Sequence, residues 1–122
     1  MLGWVDRPDV WHWMRHAAVL IFPSHGPESL SRVLLEAAAQ GVPIAAMNTG
    51  GTRDIIQPGI TGLLSETPEE LAHDLARLAH DDRLRAAVGA AARADVRARF
   101  STASVVARIE QVYCGLVPPE AA

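Results

Sequence analysis

The chain has 122 residues, 49% hydrophobic and 20% charged, with a formal net charge of −3. That length bounds it to one domain, 1–122, with a single core, and the composition excludes a disordered chain. The acidic balance gives no basis for nucleic-acid binding, the lone Cys114 excludes an intramolecular disulfide or a cysteine metal site, and the longest apolar run, Ala17–Phe22, is too short to span a bilayer.

Every basic residue other than histidine is Arg, and those in Arg77–Arg108 are interspersed with Asp and Glu rather than gathered in a patch. No basic segment followed by an apolar one opens the chain, and a single cysteine suits a reducing compartment, so the expected location is the cytoplasm.

In chain order, Met1–Asp6 reads as a short strand, and Pro8 with the apolar positions Val10, Trp11, Trp13, Met14 and Ala17 predicts a helix. Trp11 and Trp13 cannot share one helix face, so at least one is expected to be exposed or to meet a further domain, and core or interface packing is favoured over sugar stacking. Ala18–Phe22 reads as a strand buried on both faces, followed by a His25-Gly26-Pro27 loop. From Ser29 the period changes: Leu30, Val33, Leu34, Ala37 and Ala38 fall on one helical face, and Gly41 closes the run. Pro43–Met47 is a further strand, Asn48–Thr52 a glycine-rich turn, Asp54–Gln57 a brief helix and Leu63-Leu64 a last short strand.

Beyond that the chain reads as helix. Thr67-Pro68-Glu69-Glu70 starts one that continues through Leu71–Ala79; Arg83–Arg99 and Ser101–Gly115 follow. The prediction is an α/β fold, partial and Rossmann-like, with three to four short parallel strands in 1–66 and a helical part in 67–117. A Pro-Pro-Glu-Ala-Ala tail ends it.

The informative segment is Phe22–Gly51. Glu28 precedes the predicted helix and Glu36 lies within it, with seven residues between them. A helix that opens at the carboxyl end of a parallel strand presents unpaired N–H groups and partial positive charge, which suits a diphosphate. A carboxylate further into that helix can accept hydrogen bonds from neighbouring hydroxyls such as those of a ribose. The plainer reading of Glu36 is a solvated carboxylate paired with Arg32, and that of Glu28 a first-turn acid facing the helix dipole. Arg53 reads as a surface residue, His25 as a bystander, and His12, His16, His73 and His80 lack metal-ligand spacing.

Pro23-Ser24, Glu28, Glu36, Ala37-Ala38-Ala39, Gly41, Pro43 and Gly50-Gly51 stand in the order of a known donor-binding motif. The segment resembles that motif in the retaining glycosyltransferases of family 4, which have the GT-B fold. Leu2-Gly3-Trp4-Val5, Ile55–Leu64 and Phe100-Ser101 extend the resemblance over almost the whole chain. It implies that Glu36 binds ribose hydroxyls and Glu28 holds a donor-sugar hydroxyl. The backbone N–H groups of Ser29, Leu30 and Ser31 would hold sugar and diphosphate, and Gly50 and Gly51 would border the nucleotide. Family members often carry Gly-Phe-Gly where this chain has Ser29-Leu30-Ser31, a difference that bears on sugar preference.

The implied reaction is front-face transfer with retention, in which the leaving diphosphate takes the acceptor proton; no metal and no cofactor are expected. The implied partners are a nucleotide-sugar donor, an acceptor that is a glycan, lipid or small molecule, and an N-terminal domain or partner chain. Nucleic acid is not among them, and peripheral membrane association of a full enzyme is compatible with the class. The family's diphosphate-clamping Arg and Lys come from an earlier segment, so this chain alone is expected not to catalyse transfer. Two alternatives stay open: a non-catalytic nucleotide-sugar-binding or interaction module, and part of a nucleotide-sugar epimerase. The Ala-Ala-Ala-x-Gly-x-Pro continuation and the C-terminal helices favour the transferase over the epimerase.

Overall fold

Four buried residues, Ile44–Met47, form the strand on which everything else is built. The computed structural model describes residues 3–26 and 29–116. Its elements are α1 (Arg7–His16), β1 (Leu20–Phe22), α2 (Arg32–Gln40), β2 (Ile44–Met47), α3 (Thr52–Ile55), β3 (Leu63–Ser65), α4 (Pro68–His80), α5 (Asp82–Phe100) and α6 (Thr102–Leu116). The three strands form one parallel sheet in the order β1-β2-β3, with Leu20 opposite Ile44 and Ala45 opposite Leu63. Parallel pairing forces crossovers, and α2 and α3 supply them.

Because side chains alternate across a strand, β2 feeds two cores. Ile44 and Ala46 pack with Leu34, Ala37 and Ala38 of α2, Ile55 of α3, and Ala92 and Val96 of α5. Ala45 and Met47 face the other way, against Leu63 of β3 and Leu71 and Leu78 of α4. Covered on both faces, β2 can be apolar throughout. Leu34, Ile44 and Leu78 are fully buried, and each such side chain contributes about 1.5–3 kcal/mol relative to exposure.

Local signals set the helix ends. Pro8 and Pro68 stand in first turns, where a missing N–H leaves no bond unmade. The Thr67 hydroxyl accepts from Glu70 N–H, Asp81 from Leu84 N–H and Ser101 from Ser104 N–H, capping α4, α5 and α6. Gly41 closes α2 at φ 77°, a conformation that favours glycine. α5 then crosses that turn so closely that a methyl group on Gly89 would lie 2.2 Å from the Gly41 carbonyl oxygen.

Several expectations are corrected. Gly3–Asp6 is not a strand and Trp4 is almost fully exposed, because no strand lies beyond β1 among the described residues to complete a ladder. For the same reason the strand expected to be buried on both faces is an edge strand of three residues, with Ile21 45% exposed. Both Trp11 and Trp13 are exposed, where at least one was expected to be, and neither packs in the core. α2 starts at Arg32, not Ser29, which leaves Leu30 exposed ahead of the helix. The brief helix is Thr52–Ile55, started by the turn in which Thr52 N–H donates to Thr49 O; Ile56 is already extended. The apolar face of α6 buries none of its residues. Met1, Leu2, Pro27, Glu28 and the 117–122 tail lie outside the described residues.

Candidate functional site

All three strands run in parallel, so the loops that follow them gather at one edge of the sheet: 23–31 after β1, 48–51 after β2, and Glu66-Thr67 after β3. Ligands of open α/β sheets bind at this carboxyl edge.

The first two loops touch. A methyl group placed on Gly51 would lie 1.9 Å from the Ser29 carbonyl oxygen and 3.1 Å from its carbonyl carbon, so only a glycine lets the backbones approach so closely. Gly50 beside it has φ 49°, which gives the turn a second requirement for glycine. The Thr49 hydroxyl donates to the Gly26 carbonyl at 2.6 Å, a hydrogen bond between the same two loops. Thr49's own carbonyl accepts from the Thr52 hydroxyl and from Thr52 N–H, and Thr52 is buried.

On its other side the 48–53 segment is tied to the end of β3. Asn48 N–H donates to Ser65 O at 2.8 Å, extending the ladder by one residue. Arg53 donates through Nε to Asn48 Oδ1 at 2.7 Å and through Nη2 to Glu66 Oε1 at 2.8 Å; Asn48 Nδ2 donates to the same Glu66 oxygen at 2.7 Å. Arg53 is thus an exposed residue, as expected, but one engaged in a three-membered polar cluster.

Ser31 is the N-cap of α2, yet its hydroxyl makes no capping bond. Among the described residues, then, no side chain caps the first-turn N–H groups of α2, which suits an anion at this end of the helix. Ser29 and Leu30 are exposed and Ser31 is buried.

Glu36 sits just past the first turn of α2 with its side chain 30% exposed. Its partner is Arg7 and not Arg32: Arg7 Nη2 donates to Glu36 Oε1 at 3.4 Å across the gap between α1 and α2. The Arg7 guanidinium also lies over the Trp11 ring, 5.0 Å from its centre. Beside them a groove of about 610 Å³ runs between the helices, lined by Pro8, Trp11, His12, Arg15, Glu36, Ala39 and Gln40.

Ser29, Gly51 and the turn at Gly50 are therefore brought together, Glu36 faces the α1–α2 groove, and Glu28 lies outside the described residues. Sequence reasoning missed Arg7, Thr49, Asn48 and Glu66. For Thr49 and Asn48 the adjacent Gly-Gly turn was the available signal, whereas Arg7 and Glu66 lie far in sequence from their partners and nothing local marks them. Among the described residues no three His, Cys, Asp or Glu side chains cluster as metal ligands, and no helix is long and apolar enough to cross a membrane.

A parallel sheet covered by helices, with glycine-rich loops meeting at its carboxyl edge ahead of a helix whose N-cap Ser31 makes no capping bond, defines the open α/β ligand-binding class. Within that class, the family described as glycosyl transferases group 1 matches residues 1–95, and the chain belongs to it. It is 39% identical over 105 residues to D-inositol 3-phosphate glycosyltransferase of Streptosporangium roseum, a match covering 84% of this chain and 24% of the relative. It is 36% identical over 88 residues to N-acetyl-alpha-D-glucosaminyl L-malate synthase of Bacillus anthracis, covering 70% of this chain and 23% of that one. The chain thus spans about a quarter of the length of the curated relatives it matches.

Among solved structures, the Anabaena protein HepE in complex with UDP superposes with a TM-score of 0.81 at 25% identity, covering 89% of this chain and 30% of that one. Sucrose-phosphate synthase of Thermosynechococcus elongatus superposes with a TM-score of 0.81 at 28% identity, covering 94% and 29%. The expected GT-B type of α/β fold is therefore the observed one, with three strands present.

Proposed function

We propose that this chain is the donor-binding part of a retaining glycosyltransferase, holding a nucleotide sugar whose glycosyl group passes to an acceptor hydroxyl. The observation that carries the reading is the backbone contact of Gly51 with Ser29, which joins the two carboxyl-edge loops beside the entrance to α2, where Ser31 makes no capping bond. HepE, which shares this fold, has been solved with UDP and with UDP-glucose.

In this reading the N–H groups of Ser29, Leu30 and Ser31, just ahead of α2, receive the diphosphate, where the positive end of the helix dipole favours negative charge. Glu36 accepts from the ribose hydroxyls once it is released from Arg7. Gly50 and Gly51 border the nucleotide, and Glu28 holds a hydroxyl of the donor sugar and so orients the anomeric carbon. Donors fixed around the diphosphate stabilise the charge that grows on it as the glycosidic bond breaks. The diphosphate oxygen, on the same face as the acceptor, takes the acceptor's proton, so the configuration is retained without a protein nucleophile. The reading calls for no metal and no cofactor.

The acceptor is a glycan, a lipid or a small molecule; two relatives carry names with small acceptors, inositol 3-phosphate and malate. The exposed edge of β1 and the uncovered apolar face of α6 fit a chain that works against an acceptor-binding domain or a partner chain. A cytoplasmic location, with peripheral membrane contact where the acceptor is a lipid, belongs to the same reading.

Calorimetric titration with UDP-glucose, GDP-mannose and ADP-glucose tests it. One of them should bind, and Glu36→Ala should weaken that binding by about thirty-fold, the equivalent of a lost charge-assisted hydrogen bond of about 2 kcal/mol. If none binds at millimolar concentration, the donor-site reading is wrong.

A further inference from the structure

The Thr49 hydroxyl is the one side-chain donor among the described residues that bridges the loops after β1 and β2. It reaches the Gly26 carbonyl at 2.6 Å across 23 residues of sequence. Thr49 is held in turn, its carbonyl accepting from both the hydroxyl and the N–H of Thr52, a buried residue in the first turn of α3. The same segment is anchored to β3 through Asn48 N–H and through the Arg53–Glu66–Asn48 cluster. One side of the junction is therefore rigid, and the other is the approach to α2. That approach is fixed at Gly26 by a hydrogen bond and at Ser29 by the Gly51 backbone.

We propose that Thr49 is a positioning residue for diphosphate recognition. Its hydroxyl anchors the β1 loop at Gly26, three residues ahead of Ser29, and together with the Gly51–Ser29 contact orients the N–H groups ahead of α2 without touching the ligand. The inference rests on the donor-site reading given above. Preorganisation is the physical reason: N–H donors in an exposed loop bind an anion well only if their directions are fixed beforehand. Two anchors, at Gly26 and Ser29, fix both position and direction, whereas the Ser29–Gly51 contact alone leaves a pivot. Glu36 lies within α2 and lines the α1–α2 groove, so the ribose contact assigned to it is expected to be independent of Thr49.

The test compares Thr49→Val, which keeps the shape and removes the hydroxyl, with Thr49→Ser, which restores it, and uses Thr49→Ala as a second hydroxyl-free variant. Each is titrated with UDP-glucose, UDP and UMP, or with the guanine or adenine set if wild type prefers that base. Backbone amide exchange is followed alongside. Thr49→Val and Thr49→Ala should bind the sugar nucleotide and the diphosphate about tenfold more weakly, the effect of one lost hydrogen bond, and the monophosphate equally well. Thr49→Ser should return to wild type. Amides of residues 29–33 should exchange faster in the two hydroxyl-free variants while β2 and α5 stay protected.

Equal weakening of all three ligands would show a general structural role and overturn the proposal. So would unchanged diphosphate binding, or unchanged exchange at 29–33. If wild type binds no nucleotide at all, the donor-site reading fails and this inference fails with it; if wild type binds and the Thr49 variants behave as wild type, this inference alone fails.

Discussion

Gly51 and Ser29 meet backbone to backbone, with 1.9 Å between the Ser29 carbonyl oxygen and the place a Gly51 methyl group would occupy. The contact joins the loops that follow β1 and β2, and no side chain could replace it. A glycine pair that read as a plain turn or a nucleotide border therefore also acts as the close joint between two loops.

Gly51→Ala tests that joint. The Ser29 carbonyl must move, and the cost should be about 1–3 kcal/mol of unfolding free energy, as for an overpacked site. A urea titration should show a lower midpoint with an unchanged slope. Nucleotide binding should weaken in the same variant, since segment 29–31 shifts with the carbonyl. An unchanged midpoint would show that the loops separate freely.

Arg7→Ala bears on Glu36. The pair is long at 3.4 Å, and the Arg7 side chain is 70% exposed, so its loss should change stability by less than about 1 kcal/mol. It also frees the Glu36 carboxylate for a ligand's hydroxyls. Calorimetry should therefore find the nucleotide bound as tightly as in wild type or more so. Substantially weaker binding would assign Arg7 to ligand contact rather than to competition for Glu36.

Gly89→Ala addresses the core. A methyl group there lies 2.2 Å from the Gly41 carbonyl oxygen, at the crossing of α5 over the end of α2. Alanine is the better helix former, and an exposed site would gain about 1 kcal/mol from the change. At this crossing the clash should reverse the sign, with a loss of about 1–3 kcal/mol measured by thermal or urea unfolding. A stabilised variant would mean that the two helices are not in contact here.

The local sequence determined a good deal. The apolar run Pro43–Met47, the helical period from Val33 to Ala38 with Gly41 behind it, and the Thr67-Pro68 helix start were legible because strand burial, helix amphipathicity and capping each act within a few residues. The order of Glu28, Glu36, Gly41, Pro43 and Gly50-Gly51 marked the lineage for the same reason: spacing along a chain needs no tertiary knowledge. What only the fold decided involves partners distant in sequence. β1 is an exposed edge because no strand lies beyond it among the described residues, which also leaves Gly3–Asp6 without a ladder. Glu36 pairs with Arg7 across 29 residues rather than with Arg32 on its own helix. Thr49 joins Gly26, and Arg53 joins Glu66, because parallel strands deliver their carboxyl ends to one edge of the sheet whatever the sequence distance between them. Side chains carry their chemistry in the sequence, but the neighbour each one meets is set by the crossover connections.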